Sequence, residues 1–539
     1  MLSDSSLIKW ESKDNESIIN KAQKLIWVAH NVIANGTKRP AEELLADFYF
    51  HYQAIKSAEH NLYSQPDRHI SNPKNRELEA ELHQVIEAFL NKMPKVFDPF
   101  AGGGAIPLEA ARLGCLTYGN DINPVAHIIQ KGSLEFPQKY GKPITYGKEE
   151  FLKLYGENEL NRVPYEWKVY TGNSQWTAIN IPNRLSFDVE FYAKALLYET
   201  EKEIGHLYPS DEKGNKPIVY YWIRVGTCIN PTCNAEVPLL RQFYLSKRRN
   251  APSSEFVYFE PIINGNSIEL DIRKGITERE PFIERANLRC PVCGSITEVK
   301  KLKKQFTDKT TKEVLAAVIE DTPQGKIFRR PYDYEKEIVI GINKLERPHE
   351  LMPQNDSQNL KIPFWGFKTF GEMFSDRQMS IMLSLVSNLQ KIKDEYVDQN
   401  GYLLAVFTYL AMLVDRVAMR YTTFNTWHIQ QDTVEKIMSK QAIPMVFDYP
   451  EMNPFTSYTS SAINQLGQII DYINSESNSF NISRCQNAAS GDKSQFKSKI
   501  INSVVTDPPY YDAIAYADLS DFFYVLNISQ QIGHCITHK

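Results

Sequence analysis

The sequence has few cysteines, no long apolar run and little net charge, and each absence excludes a class of protein. Seven cysteines in 539 residues do not make a disulfide-rich secreted scaffold. The longest apolar stretch, Gly401 to Val414, is too short for a transmembrane helix and predicts a buried one. The N-terminus shows no signal-peptide pattern. At 539 residues and 42% hydrophobic, the chain is expected to be cytoplasmic, without a membrane partner, and to hold about three domains, and its net charge of −4 gives no support for nucleic acid binding.

A strand, a glycine-rich turn and a helix are predicted between Lys95 and Gly114. The strand is Lys95 to Phe97, the turn is DPFAGGGA (Asp98 to Ala105), and the helix runs from Ile106 to Leu113, with Gly114 as its C-cap. Glycines let the backbone pass close to a ligand where a Cβ would clash, and the helix N-terminus behind them offers free N–H groups. The pattern therefore predicts a ligand-binding turn.

A second predicted strand, Cys115 to Gly119, leads to Asp121, 23 residues after Asp98. A carboxylate at this place can accept hydrogen bonds from both hydroxyls of a ribose. Asn123-Pro124 is expected to cap and start the next helix. An ordinary NAD-binding fold also needs a glycine turn and an acidic residue at these places, although the turn here is not GxGxxG. A glycine turn that binds no ligand is the third interpretation.

Asp507-Pro508-Pro509-Tyr510 directly follows the apolar run Ile501 to Val505, which predicts a buried strand with these four residues at its exposed end. The Asp carboxylate and a main-chain carbonyl can accept from an –NH2 group while the Tyr ring stacks on a base. An amine held in this way keeps its lone pair free to attack. Together with the glycine turn, the motif favours S-adenosylmethionine over NAD. A Pro-Pro turn of no chemical role is the alternative.

Four of the cysteines form two pairs, Cys228 with Cys233 and Cys290 with Cys293. Two such turns supply four thiolates for a tetrahedral zinc site, which would be structural because no position stays open for water. The alternative is two unrelated pairs of buried thiols.

The region around these cysteines is basic. Residues 221 to 330 hold 19 lysines and arginines against 13 acidic residues, with clusters at 247–249, 300–304 and 329–330. This segment is predicted to bind the phosphate backbone of DNA. The alternative, an ordinary solvated surface without a partner, is given equal weight. Trp427 and His428 are candidates for base stacking, although a buried structural tryptophan is the preferred interpretation.

Five longer stretches carry a resemblance to a known family: DPFAGGGAIPLEAARLG (Asp98 to Gly114), NDINPVAHII (Asn120 to Ile129), MFSDRQ (Met373 to Gln378), QAIPMVFDYPEMNPF (Gln441 to Phe455) and VVTDPPYYDAIAYADLSDFFYV (Val504 to Val525). The chain resembles the large adenine-specific DNA methylases that contain a zinc ribbon. These occur in bacteria and archaea, often near phage-defence genes.

The resemblance implies an α/β fold with a class I methyltransferase (Rossmann-like) core, S-adenosylmethionine as cofactor, and methylation of an amino group in DNA, most simply adenine N6. The target base must then be flipped out of the duplex. By motif position, the cofactor would be bound by Asp98, Phe100, Gly102, Gly104 and Asp121, and the base would be held by Asp507, Pro508, Pro509 and Tyr510.

Six parts are predicted along the chain. They are a helical segment (1–94), the cofactor-binding half (95–200), the basic zinc-ribbon insertion (201–335), a mainly helical region (336–473), a polar linker (474–499) and the catalytic strand with an incomplete end of the core (500–539). Helices are also predicted at Leu78 to Leu90, Arg377 to Ile392 and Leu403 to Met419.

The family-like sequence stops near Val525, so the chain is expected to be an internal or C-terminally truncated fragment. One alternative function is therefore an inactive or split fragment, which binds cofactor or DNA without turnover and is completed by a separately encoded C-terminal half or other defence-system proteins. Another is an RNA amino-methyltransferase. Cytosine N4 is a chemically close alternative target.

Overall fold

The structure of the chain is a computed structural model. It describes residues 53–55, 57–58, 60–62, 73–90, 94–112, 115–171, 175–323, 325–337, 347–354, 359–394, 401–439, 441–477, 483–496, 500–510 and 514–528. Most of the predicted N-terminal helical segment and the predicted C-cap Gly114 lie outside these residues.

The described residues form twelve α-helices and twenty strands. The helices are α1 (Pro73–Leu90), α2 (Ala105–Arg112), α3 (Pro124–Gln130), α4 (Phe136–Tyr140), α5 (Lys148–Arg162), α6 (Arg184–Ile204), α7 (Val299–Thr307), α8 (Asp333–Lys336), α9 (Asp376–Asp394), α10 (Tyr402–Ala418), α11 (Ala462–Glu476) and α12 (Tyr516–Ile528). The strands are β1 (Lys95–Asp98), β2 (Leu116–Asp121), β3 (Ile144–Gly147), β4 (Lys168–Thr171), β5 (Gln175–Ile181), β6 (Pro217–Thr227), β7 (Glu236–Pro238), β8 (Tyr244–Ser246), β9 (Val257–Asn264), β10 (Ser267–Lys274), β11 (Ile283–Glu284), β12 (Asn287–Arg289), β13 (Ile296–Thr297), β14 (Lys312–Thr322), β15 (Gly325–Arg329), β16 (Trp427–His428), β17 (Thr433–Val434), β18 (Asp448–Met452), β19 (Arg484–Asn487) and β20 (Ser503–Val504).

Two compact units divide the chain. Unit 1 comprises Met1–Phe191, Asp398–Thr408 and Ile470–Pro509, and unit 2 comprises Tyr192–Val397, Tyr409–Ile469 and Tyr510–Lys539. Each unit therefore combines segments that are distant in sequence.

Unit 1 contains a parallel sheet in the order β19-β2-β1-β20. Its core includes Leu82 of α1 and Leu116 and Tyr118 of β2, all buried, with the Phe496 ring 5.0 Å from that of Phe97. Parallel strands need apolar cover on their faces, and the apolar side of α1 supplies part of it. The predicted strand–turn–helix and the Asn123 cap are confirmed, because the Asn123 side chain accepts from the N–H groups of Val125 and Ala126.

A second sheet of unit 1 is antiparallel, in the order β3-β5-β4. Its core contains Phe151 of α5 and Ile179 and Ile181 of β5, which are fully buried. The buried carboxylate of Asp188 accepts hydrogen bonds from the hydroxyls of Tyr155 and Tyr402, which satisfies its charge inside this core.

Unit 2 is built on an antiparallel sheet in the order β15-β14-β6-β18, with β7 also paired to β6. Smaller sheets β8-β9-β10 and β11-β12-β13 and the two-stranded ribbon β16-β17 belong to the same unit. The strand β18 comes from the region predicted to be mainly helical, and β6 comes from the predicted zinc-ribbon insertion. The two regions therefore share one sheet.

Two predictions about the end of unit 1 were wrong. The polar segment 474–499, predicted to be a linker, contains β19, which pairs with β2. Ser483, directly before this strand, is buried, and its hydroxyl lies 2.5 Å from that of Thr117. The strand predicted to be buried, Ile501 to Val505, is an edge strand, because β20 has only β1 as a neighbour among the described residues. Val504 is accordingly 60% exposed.

The predicted helices at 377–392 and 403–419 are confirmed as α9 and α10, and the apolar run of α10 is largely buried. Among the described residues, no helix combines the length and apolarity needed to cross a bilayer.

Candidate functional site

The carboxyl ends of β1 and β20 bring the two predicted halves of the site to one edge of the parallel sheet in unit 1. Val96 pairs with Ser503 and Phe97 with Val504, and the ladder continues with the Val505 N–H donating to the Phe97 carbonyl at 3.1 Å. Asp98 ends β1, and Asp507 follows β20 by three residues. Ligands of open parallel sheets bind outside the carboxyl ends of the strands, so this edge is the place expected for a ligand.

Asp98 is the buried centre of this edge. Its side chain is 2% exposed and accepts a hydrogen bond from the Phe100 N–H at 3.0 Å and another from the Thr506 hydroxyl. Burial raises the pKa of Asp98 above its usual value, and the nearby negative charges of Asp121 and Asp507 raise it further. Three carboxylates that lie far apart in sequence therefore repel one another at one place, which favours a cationic ligand.

The glycine turn holds its shape through two left-handed glycines, Gly102 with φ +53° and Gly104 with φ +91°. A Cβ on Gly102 would meet no atom within 4 Å, so the backbone borders open space there. A Cβ on Gly104 would lie 2.8 Å from Leu134 Cδ1. Gly102 is thus the glycine that leaves room for a ligand, whereas Gly104 makes room for packing against Leu134.

Asp121 fixes the turn from the neighbouring strand. One oxygen of its carboxylate accepts from the Gly102 N–H and the other from the Asn123 N–H, each at 2.9 Å. A carboxylate can accept about four hydrogen bonds, so each oxygen keeps acceptor capacity. The Asp121 side chain is half-buried and can still accept from the hydroxyls of a ligand.

Three side chains that hold the site together were missed by sequence reasoning. Gln130 donates to the Gly102 carbonyl at 2.9 Å, and Asn487 donates to the carbonyls of Asp121 and Ile122. Thr506 was missed although it directly precedes Asp507. The roles of Gln130 and Asn487 could have been predicted only by placing α3 and β19 correctly beside the glycine turn.

Apolar side chains flank the carboxylates. Phe100 is 38% exposed and Ile122, directly after Asp121, is 72% exposed. A large exposed aliphatic side chain beside a potential ribose acceptor offers a surface for a flat apolar ring. Pro508 and Pro509 are exposed, as predicted for the end of a strand. Tyr510, the first residue of the last segment of unit 2, is 55% exposed.

The four predicted metal ligands come together in unit 2. The sulfur atoms of Cys228, Cys233, Cys290 and Cys293 all lie within 4.8 Å of one another. Cys228 Sγ is 3.6 Å from Cys293 Sγ, and Cys233 Sγ is 3.8 Å from Cys290 Sγ. Four thiolates at the usual zinc–sulfur distance are roughly 3.8 Å apart in a tetrahedron, so the cluster has the size of a zinc site.

The predicted basic clusters differ in how free their charges are. Lys300 and Lys301 are exposed on α7, which begins two residues after β13 in the cysteine-bearing region. Arg329, in contrast, is largely buried and forms ion pairs with Glu320 and Glu335. Its charge is neutralised inside the protein, so the predicted 329–330 cluster offers less to a phosphate than its sequence indicates.

Trp427 is buried and its indole N–H donates to the Leu245 carbonyl at 2.7 Å, which confirms the structural interpretation of this residue. His428 is half-buried in β16.

A stretch of the chain is 31% identical over 93 residues to a tRNA (guanine(37)-N(1))-methyltransferase from Ciona intestinalis. The stretch covers 17% of this chain, and the chain spans about a fifth of the length of this curated relative, 20%. No protein-family model and no solved structure matches the chain. The similarity is thus to a methyltransferase, and the resemblance to zinc-ribbon DNA adenine methylases stays a prediction.

Proposed function

We propose that the chain binds S-adenosylmethionine at the edge of its parallel sheet and transfers the methyl group to an exocyclic amine of a nucleic acid base. The observation that carries this proposal is the convergence of Asp98, Asp121 and Asp507 beside the open face of Gly102. The cofactor carries an ammonium and a sulfonium group, whose positive charges offset the repulsion among these carboxylates. A dinucleotide brings an anionic pyrophosphate, which this acidic edge disfavours.

Each part of the cofactor has a matching group. Asp121 accepts hydrogen bonds from the ribose hydroxyls with the acceptor capacity that the Gly102 and Asn123 N–H groups leave free. The exposed side chain of Ile122 covers one face of the adenine ring. Asp98, at the end of β1, would attract the ammonium group. On this assignment the sheet is the core of a class I methyltransferase.

When bound, the cofactor supplies an electrophilic methyl carbon. The Asp507 carboxylate orients the target by accepting a hydrogen bond from its –NH2 group, and the prolines leave nearby carbonyls free because they donate no hydrogen bond. The nitrogen lone pair would attack this carbon and displace the cofactor's sulfur, which would leave a surplus proton on the nitrogen. Because Asp507 is exposed, solvent reaches the amine that it holds, and the surplus proton of the methylated amine would pass to water. Tyr510 keeps its predicted role as the stacking partner of the base.

Adenine N6 in DNA is the first candidate target, because the sequence resembles adenine-specific DNA methylases. A base in RNA is the second candidate, and the similarity to a tRNA methyltransferase favours it. In either polymer a paired amine is inaccessible, so the nucleotide is flipped out of its stack before transfer. The exposed lysines of α7 are proposed to contact the phosphate backbone.

Zinc is proposed to occupy the cysteine cluster of unit 2. The two cysteine turns lie on either side of the segment with β7 to β12, so one metal ion would tie both ends of this segment together. Four thiolates fill a tetrahedral shell, which gives the ion a structural role.

The experiment that tests the function uses labelled S-adenosylmethionine with DNA and RNA, followed by mass spectrometry of the nucleosides. We expect N6-methyladenine as the product. Asp507→Asn replaces an acceptor oxygen with a donor –NH2 that faces the target amine, so turnover should fall by roughly 10²- to 10⁴-fold, whereas cofactor affinity, which keeps the charges of Asp98 and Asp121, should fall far less. Near-normal turnover in this variant, or a joint loss of turnover, cofactor binding and thermal stability, contradicts the orienting role.

A further inference from the structure

Two polar turns of unit 2 border an open depression of the surface that the proposed chemistry does not use. One turn, residues 247–252, follows β8, and the other, residues 429–432, joins β16 to β17. The depression between them has a volume of about 550 Å³, and we call it the two-turn pocket. Its polar lining consists of Arg248, Arg249, Asn250, Glu255, Gln430 and Gln431.

The two turns are fixed to each other through their backbones. The Lys247 N–H donates to the Ile429 carbonyl at 2.8 Å, directly beside the pocket. Two positions earlier in each segment, the Trp427 indole N–H donates to the Leu245 carbonyl at 2.7 Å. The geometry of the pocket is therefore set before any ligand binds, which lowers the entropy cost of recognition.

Asp432 ends the second turn and is paired with Arg248 of the first. It is 1% exposed and adopts a left-handed backbone with φ +50°, a conformation that costs a non-glycine residue strain energy. Its carbonyl accepts from Lys326 Nζ at 3.1 Å and its carboxylate lies 3.8 Å from Arg248 Nε. Arg248 is also paired with Glu255 at 3.3 Å, so its guanidinium group is held in place.

The remaining polar side chains of the pocket are free to meet a ligand. Arg249, Asn250, Gln430 and Gln431 are exposed, and within the part of the chain that the structure describes their side chains form no hydrogen bond or ion pair. One guanidinium and three primary amides, contributed by both turns, therefore line the two-turn pocket. Amides carry no charge, so they add little to the binding of phosphates, for which lysines suffice.

This set of side chains matches the edges of purine bases. A guanidinium donates two hydrogen bonds to guanine O6 and N7, and a glutamine or asparagine amide pairs with adenine N6 and N7. The ribbon β16-β17 carries both glutamines at its tip, and a two-stranded ribbon is one of the elements that the DNA major groove admits. The major groove of RNA is too narrow for side chains to read.

We propose that the two-turn pocket reads purine edges in the major groove of duplex DNA and so selects the sequence at which the chain acts. This inference rests on the proposed function, since it assigns a recognition site to the nucleic acid substrate. It differs from the phosphate contacts proposed for α7, which carry no sequence information.

The test is selection of bound sequences from a randomised duplex DNA pool by the wild-type chain and by a Gln430→Ala, Gln431→Ala double variant. The wild type should enrich a purine-containing motif. The double variant should lose roughly 10- to 100-fold preference at one or two positions of that motif and keep its affinity for random DNA, because each bidentate pair is worth ~1–3 kcal/mol of discrimination. Arg249→Ala should weaken the preference for guanine at a different position of the motif.

A Lys300→Ala, Lys301→Ala variant is the matched control. It should weaken binding to all sequences and reduce the salt dependence while the motif stays the same. The proposal is overturned if the glutamine variant selects the wild-type motif, or if the folded wild type enriches no motif from the duplex DNA pool. Calorimetry with S-adenosylmethionine on the same samples separates the two claims, because absent cofactor binding refutes the proposed function whatever the selection shows.

Discussion

Gly102→Val probes the glycine turn with a change whose structural cost can be worked out. Gly102 has φ +53°, and a Cβ there meets no atom within 4 Å. The Cβ of the valine therefore meets no other atom, and the main structural cost is the left-handed backbone, ~1–3 kcal/mol. A domain stable by ~5–15 kcal/mol remains folded after such a loss.

The same side chain would fill the open space beside Asp121 that the cofactor is proposed to occupy. We expect the affinity for S-adenosylmethionine, measured by calorimetry, to fall by at least about 100-fold, which corresponds to ~2.7 kcal/mol. Thermal unfolding of the same sample should show that the protein is folded at the temperature of the binding experiment.

Gly156→Val is the matched control. Gly156 lies at a kink within α5, away from the glycine turn in sequence, has φ +79°, and a Cβ there also meets no atom within 4 Å. Its ψ of 174° places it in a region that only glycine adopts readily, so the variant should lose at least as much stability and still bind the cofactor normally. Unchanged affinity in Gly102→Val, or an equal loss of affinity in both variants, would show that the turn is not the binding site.

Two further predictions concern the metal cluster and a buried histidine. Elemental analysis of protein purified without chelator should find about one zinc per chain, and Cys290→Ser should remove it, whereas Cys115→Ser, a buried cysteine outside the cluster, should not; substoichiometric metal in the wild type refutes the site. Burial, with help from Lys131, lowers the pKa of His127 to about 4, so the folded state holds the neutral imidazole. Stability from this site is present above the unfolded pKa and is lost as the pH falls from about 6.5 to 4, by ~3 kcal/mol; denaturant unfolding at several pH values should show this loss in the wild type and not in His127→Gln, and equal slopes would contradict it.

The sequence predicts the local structure around the proposed cofactor site well because its signals are local. A few residues each encode β1, the glycine turn and the helix cap at Asn123. The structure has all three where the sequence pattern predicts them. The meeting of Asp98 with Asp507 is not local. We expected these two residues to meet because their motifs serve one reaction. The residue pattern of β1 and β20 does not indicate that the two strands are neighbours.

The failures come from tertiary context. β19 has a polar sequence that resembles a linker, and only its pairing with β2 and the burial of Cys485 reveal a strand. The apolar run before Asp507 suggests burial, yet an edge position leaves Val504 largely exposed. Likewise, the sequence shows Arg329 as a free charge, whereas its partner Glu335 becomes visible only in the folded unit.

The central claim is that S-adenosylmethionine binds between the glycine turn and the end of β20. A crystal structure of the chain with S-adenosylhomocysteine tests it most directly. We expect density beside Gly102, with the ribose hydroxyls within hydrogen-bond distance of Asp121 and the sulfur atom facing Asp507. Density for the ligand at any other place on the folded chain, or an empty sheet edge at saturating ligand, would contradict the claim.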